Sequence, residues 1–309
     1  MNETESRVSV LSDMDLTTDQ TIQIIQLAKN MKAHPERYST ALSGKSIATI
    51  YEKPSLRTRV SFDVGIAKMG GHSVYLDQHN TAMGKREAVA DIGANLSCWC
   101  DAIVARVLTH ETLEQLKHAS NVPVINSMCD LYHPCQALAD AMTLDELFPK
   151  LSGLTLAYVG NGNHVSHSLL LTATKLGMHI VLVCPKGYGP DAQIWQKASM
   201  LAMTYGGSIT IYDDVSALSG VNALYTAAWS SMTNGQDKEA ILDTFAPYQI
   251  TSEVMKNCGA SKFLHCQPAQ RDQEVTGEVL DSTDSVILQQ AENRMWVQNA
   301  LLLTLMNGN

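Results

Sequence analysis

Hydroxyl and guanidinium side chains crowd the stretch Ser55-Leu56-Arg57-Thr58-Arg59, just after the run Ser46 to Ile50 and just before a segment with helical periodicity. A strand that turns into a helix through such residues gathers hydroxyls, guanidinium forks and unpaired first-turn N–H groups at one point. That corner suits a phosphate dianion. Ser55 can cap the helix, Arg57 and Arg59 can offer forked donors, and the helix dipole adds its positive end. The competing reading is a solvated basic helix face whose arginines pair with surface carboxylates. The density of Ser, Thr and Arg at a strand-to-helix corner favours the cradle. The glycine-rich loop ending in Lys-Ser/Thr is absent, so a nucleoside triphosphate is not the expected anion.

Three further stretches carry residue types that do chemistry. In Asp130-Leu131-Tyr132-His133-Pro134-Cys135-Gln136, His133 and Gln136 fall one helical turn apart. A neutral histidine and an amide on one helix face can polarise a carbonyl and hold an adjacent NH2 group; alone, the histidine could equally be a helix cap. Phe263-Leu264-His265-Cys266-Gln267-Pro268 reads as a strand that delivers Cys266 to a sheet edge, although a single cysteine is more often a small buried hydrophobe. Leu156 to Asn163 is a strand running into a glycine turn. Its likeness to a dinucleotide fingerprint fails at Val165, in the place of the third glycine, and at Val183-Cys184-Pro185, where no acidic residue stands ready for a ribose. The turn remains a candidate for lining a binding site.

These residues need elements to position them. A helix is expected over 17–33, capped by Thr17 or Thr18, and strands over 46–51, 72–76, 102–105 and 122–125, with helical segments between most of them. A helix over 133–147 follows. A second alternating set has strands at 154–159, 179–183, 208–212, 222–226, 262–265 and 285–288, with helices near 165–176, 190–205 and 237–244. The pattern predicts an α/β fold: two doubly wound parallel-sheet domains with a cleft between them and ligands at the carboxyl ends of the strands. The expected divisions are 1–150, 151–290 and a C-terminal helix in 291–309, apolar on most faces and packed against a domain.

The 309 residues are 45% hydrophobic and 17% charged, as in a globular protein large enough for two cores. A net charge of −9 argues against nucleic acid or an anionic membrane surface as partner, so any phosphate site must be local. No apolar run reaches the ~18 residues that a bilayer requires. The seven cysteines show neither zinc-site nor disulfide spacing. Cys98-Trp99-Cys100 reads as part of a buried helix. A reducing compartment and a cytoplasmic location are expected, since the N-terminal stretch has no basic region followed by an apolar core.

In this order, the segments resemble the aspartate and ornithine carbamoyltransferases over nearly the whole chain, and the ornithine branch above all. The matching stretches are SLRTR (55–59), HPCQALAD (133–140), YVGNGN (158–163), WSSM (229–232), HCQPAQR (265–271) and AENR (291–294). The resemblance implies an enzyme that moves the carbamoyl group of carbamoyl phosphate to a primary amine of an ornithine-like acceptor, as in arginine biosynthesis. It implies a carbamoyl phosphate domain, then an amine-acceptor domain, and a terminal helix packed back on the first. By position, Ser55, Leu56 through its backbone, Arg57 and Thr58 hold the phosphate. Arg106, His133 and Gln136 contact the carbamoyl group, and Cys266, Gln267 and Arg294 complete that set. Arg57, Arg106, His133 and Cys266 are the implied catalytic residues. Asn163, His164, Ala227, Ser231 and Met232 occupy acceptor positions. No metal and no organic cofactor is implied. The family forms trimers, and Thr81 to Glu87 resembles the loop that reaches a neighbouring subunit's site.

Some acceptor positions depart from the ornithine pattern, which has Asp at Ala227, Asn at His164 and Gly at Thr233. In the family, the Asp and Asn bind the acceptor's α-amino and α-carboxylate ends. A hydrogen bond to a charged group contributes about 1.5–3 kcal/mol, so the loss weakens ornithine by roughly ten- to a hundredfold unless a neighbour compensates. The alternatives are a different acceptor (acylated ornithine, a diamine or another amino acid) or a silent carbamoyl phosphate-binding homologue. The silent homologue is disfavoured because every implied carbamoyl phosphate contact is present.

Overall fold

The computed structural model describes residues 8–77, 84, 87–229 and 238–307. The chain forms two compact units, Met1–Met142 with Asn293–Asn309, and Thr143–Glu292.

The first unit is built on a parallel sheet of β1 (Ser46–Tyr51), β2 (His72–Asp77), β3 (Ala102–Arg106) and β4 (Val124–Met128), in the order β2-β1-β3-β4. Consecutive residues Ile47, Ala48, Thr49 and Ile50 are all fully buried, so both sheet faces are covered. Helices α1 (Thr18–Ala33), α2 (Leu56–Lys68), α3 (Val89–Trp99) and α4 (His110–Ala119) belong to this unit, together with the first part of α5 (Pro134–Leu147). Helix α1 starts where expected because Thr17 and Gln20 form a reciprocal capping box. Strand β4 starts two residues later than expected, after Pro123, whose nitrogen has no hydrogen to give. The N-terminal segment then pairs with it, Val10 N donating to Val124 O and Asn126 N to Val10 O. Register sets Tyr51 opposite Arg106 and Arg106 opposite Met128, so β1, β3 and β4 end at one edge.

Helix α3 is not the buried helix expected around Cys98-Trp99-Cys100. Its apolar stripe runs through Val89, Ile92 and Leu96, which leaves Cys98 exposed and Trp99 71% exposed. The last helix, α11 (Ile287–Asn307), belongs to this unit from Asn293 onward. It meets α2 at Gly65, where a Cβ would lie 2.1 Å from Asn299 Oδ1.

The second unit holds a parallel five-stranded sheet in the order β7-β6-β5-β8-β9, comprising β5 (Thr155–Val159), β6 (His179–Val183), β7 (Ser208–Tyr212), β8 (Ala223–Thr226) and β9 (Lys262–His265). Its helices are α6 (His164–Lys175), α7 (Ala192–Tyr205), α8 (Lys238–Phe245), α9 (Ser252–Cys258) and α10 (Gly277–Leu280). Chain direction across the sheet reverses at β5, and the crevice at the carboxyl ends of β5 and β8 is the switch point where such sheets bind ligands. The turn after β5 requires glycine at 162, since a Cβ there would sit 2.3 Å from the Gly189–Pro190 backbone. The strand expected over 285–288 is absent. Ser285 makes a single bridge to Phe263, and Ile287 already begins α11. Both units have the doubly wound α/β architecture expected. Among the described residues, no helix is long and apolar enough to cross a membrane.

Candidate active site

At the edge where β1, β3 and β4 end, Ser55 occupies the N-cap position of α2 without capping it. Its hydroxyl instead accepts a hydrogen bond from Arg106 Nη1 at 2.9 Å, because Arg106 ends the adjacent strand. Arg106 Nη1 also donates to Thr58 Oγ1 at 3.2 Å, and Arg294 Nη2, from α11, donates to the same oxygen at 2.6 Å. Thr58 is fully buried. With two guanidinium groups donating to its oxygen, the Thr58 proton is the donor that it can still offer. Like charges gathered around one hydroxyl form a positive corner that an anion would neutralise. Arg57 is half-buried in the first turn of α2.

Arg59 does not join this corner as expected. It is exposed, pairs with Asp63 at 3.4 Å and lies 3.6 Å over the Tyr75 ring. Arg106 and Arg294 supply the forks in its place. Burial, with Asp63 adding to it, pushes the Tyr51 phenol well above its ordinary range, against the pull of Arg294, Arg106 and Arg59. Tyr51 therefore stays protonated.

From β4, the chain turns through Cys129 to His133 and enters α5. The Cys129 sulfur accepts hydrogen bonds from Tyr132 N and Asn126 Nδ2, both at 3.3 Å, and Cys129 N donates to Tyr132 O. Burial pushes this thiol up to about 11, so it serves the turn as a neutral group. His133, just before α5, and Gln136, in its first turn, are both buried, and β4, which they follow, lies next to the strand that ends in Arg106. Gln136 Nε2 donates to Asp140 Oδ1 at 2.8 Å, while Gln136 Oε1 is buried and makes no hydrogen bond. Sequence reasoning gave Asp140 no role, although its i,i+4 spacing from Gln136 was a readable signal.

In the second unit, Asn163 caps α6, its Oδ1 accepting from Val165 N at 2.9 Å, and His164 follows as a buried first helical residue. Ala227, Ala228 and Trp229 continue β8 and are buried, with the Trp229 ring 5.6 Å from Phe245. Ser231, Met232 and Thr233, as well as Thr81 to Met83, Lys85 and Arg86, lie outside the described residues.

Cys266 is half-buried just after β9. Its turn is held by His265 and Glu274, which had no predicted role. Gln267 N, at a residue with φ of 55°, donates to His265 Nδ1 at 2.8 Å. An accepting Nδ1 leaves the proton on Nε2, which donates to Glu274 Oε1 at 3.1 Å, and Gln270 N donates to the same oxygen. Glu274 is nine residues away in sequence, so no local spacing signalled the pair. Among the described residues, no group of three or more His, Cys, Asp or Glu side chains stands close enough to hold a metal ion.

Comparison with known proteins fits this division of labour. Residues 9–146 match the aspartate/ornithine carbamoyltransferase carbamoyl-P binding domain, and residues 152–305 match the Asp/Orn binding domain of the same family. The chain is 52% identical over 298 residues to the ornithine carbamoyltransferase of Vibrio sp. (strain 2693), covering 96% of this chain and 99% of the relative. It is 53% identical over 295 residues to that of Shewanella oneidensis, covering 96% and 98%. The solved ornithine carbamoyltransferase from Pyrococcus furiosus superposes with a TM-score of 0.94 at 39% identity, covering 98% of each chain. The chain belongs to the aspartate/ornithine carbamoyltransferase family and is a carbamoyltransferase.

Proposed function

We propose that the enzyme transfers the carbamoyl group of carbamoyl phosphate to the primary side-chain amine of ornithine or an ornithine-like acceptor, releasing a ureido product and phosphate. The observation that carries this reading is the convergence of Arg106 and Arg294 on the buried hydroxyl of Thr58, in the unit that also buries His133 and Gln136 at the start of α5. Ser55, the Leu56 backbone, Arg57, Thr58, Arg106 and Arg294 hold the phosphate end. Arg106 and His133 polarise the carbamoyl carbonyl, and Gln136 takes the NH2 end. By the family resemblance, Asn163, His164, Ala227, Ser231 and Met232 are the acceptor residues, while Cys266 and Gln267 belong to the carbamoyl phosphate set. The names of the Vibrio and Shewanella relatives support ornithine as the acceptor.

The neutral amine forms the new C–N bond to the carbamoyl carbon. Arg57, Arg106, His133 and Thr58 stabilise the oxyanion, and the C–O bond breaks with its electron pair leaving on phosphate. The displaced amine proton goes to the departing phosphate or to solvent. No covalent enzyme intermediate is needed. The test is to incubate the protein with carbamoyl phosphate and ornithine, reading citrulline and phosphate together. Failure to form a ureido product with ornithine or any primary amine in a panel would overturn the reading.

The active species is a homotrimer working in the cytoplasm. Leu56, Val60 and Val64 form an exposed apolar stripe at i,i+4 spacing on α2, which favours association. The seven cysteines, all free thiols, fit a reducing compartment.

A further inference from the structure

Gln136 and Asp140 are 2% and 1% exposed, one turn apart on α5, and joined by a 2.8 Å hydrogen bond from Gln136 Nε2 to Asp140 Oδ1. A carboxylate can only accept. It therefore fixes which end of the Gln136 amide faces it, and the carbonyl oxygen must take the opposite side. That oxygen, Gln136 Oε1, is buried and has no hydrogen-bond partner. A buried acceptor without a donor is costly, and the group that relieves it must carry an N–H or O–H. Without Asp140, the amide could turn over and present NH2, and the site would lose its demand for a donor.

We propose that Asp140 is a positioning residue that makes the site selective for a carbamoyl group over an acyl group of the same shape. By holding the Gln136 NH2, it commits Oε1 to accept from the NH2 of carbamoyl phosphate. Acetyl phosphate, with a methyl group in that place, cannot donate and leaves the oxygen unpaired. The inference rests on the carbamoyl phosphate reading above and adds the device by which the carbamoyl end is recognised.

The experiment measures the binding of three probes, carbamoyl phosphate, acetyl phosphate and inorganic phosphate, to the full-length protein by competition. The wild type, Asp140→Asn, Gln136→Ala and the double variant are compared. The amide that Asp140→Asn introduces can satisfy either orientation of Gln136. This substitution is therefore expected to lower the preference for carbamoyl over acetyl phosphate by tenfold or more, with inorganic phosphate unchanged. In the Gln136→Ala background, the same substitution should change the ratio no further. Asp140→Ser replaces Asp140→Asn if that variant does not fold. An undiminished ratio in Asp140→Asn overturns the proposal, as does an equal loss for all three probes, which marks general damage. A wild type that binds inorganic phosphate yet does not prefer carbamoyl over acetyl phosphate overturns the carbamoyl phosphate reading itself.

Discussion

Thr58 is the residue on which the anion corner turns, since one buried hydroxyl receives Arg106 and Arg294. Thr58→Val keeps the shape and leaves both guanidinium groups without that acceptor. At about 1.5–3 kcal/mol for a hydrogen bond to a charged group, the KM for carbamoyl phosphate should rise by roughly ten- to a hundredfold, with the amine KM little changed. Steady-state kinetics with each substrate varied checks it, and an unaltered carbamoyl phosphate KM counts against the corner. In the second unit, Ala227 and His164 are both buried at 3% exposure and stand where the family resemblance leads one to expect a carboxylate and an amide. Ala227→Asp with His164→Asn should raise kcat/KM for ornithine by roughly ten- to a hundredfold through two hydrogen bonds to charged groups, leaving the carbamoyl phosphate KM alone. No gain would mean that neighbours already supply those contacts. The hydroxyls of Ser55 and Thr58 were legible because their types and spacing announce an anion. Their cationic partners were legible only in part: a sequence places Arg59 beside Thr58, whereas the helix turns it outward onto Tyr75.

At the scale of elements, the crossing of α2 and α11 decides whether Arg294 reaches Thr58. Gly65 allows the approach because a Cβ would lie 2.1 Å from Asn299 Oδ1, itself in a buried side chain. Gly65→Ala should therefore separate the helices and destabilise the fold by about 1–3 kcal/mol through overpacking, seen as a lower melting temperature, and raise the carbamoyl phosphate KM as Arg294 shifts. Asn299→Ala in the same protein should restore much of both. A Gly65→Ala protein with unchanged stability would show that Asn299 moves aside at no cost. Helix α1 was legible through its threonine cap and apolar spacing, and the central strands through their apolar runs. The run 285–288 was misread because β-branched and apolar residues suit a strand or a buried helix start equally, and only packing separates the two. The pairing of Val10 with Ile125 was hidden for another reason: a single bridge leaves no periodicity to read.

For the whole molecule, an apolar stripe at Leu56, Val60 and Val64 beside a charged anion corner predicts that assembly and activity go together. Light scattering of the purified protein should give the mass of three chains, and Val60→Glu with Val64→Glu should shift it toward one chain and lower turnover. A fully active single chain in the unaltered protein would overturn the trimer. The two-unit α/β plan was legible because strand and helix patterns alternate throughout. The discontinuous make-up of the first unit, with the N-terminal residues joined by Asn293–Asn309, was only partly so, because chain order does not say which core a late helix will join.

That discontinuity has a consequence for biosynthesis. A ribosome makes β1 to β4 and the start of α5 first, then the whole second unit, and only afterwards Arg294. The nascent chain can assemble its first sheet and bring Arg106 to Thr58, but the second guanidinium arrives after the intervening unit has been made. A stalled or prematurely terminated chain lacks that second guanidinium and should bind carbamoyl phosphate more weakly than the finished protein, so an abortive product should sequester less of the metabolite.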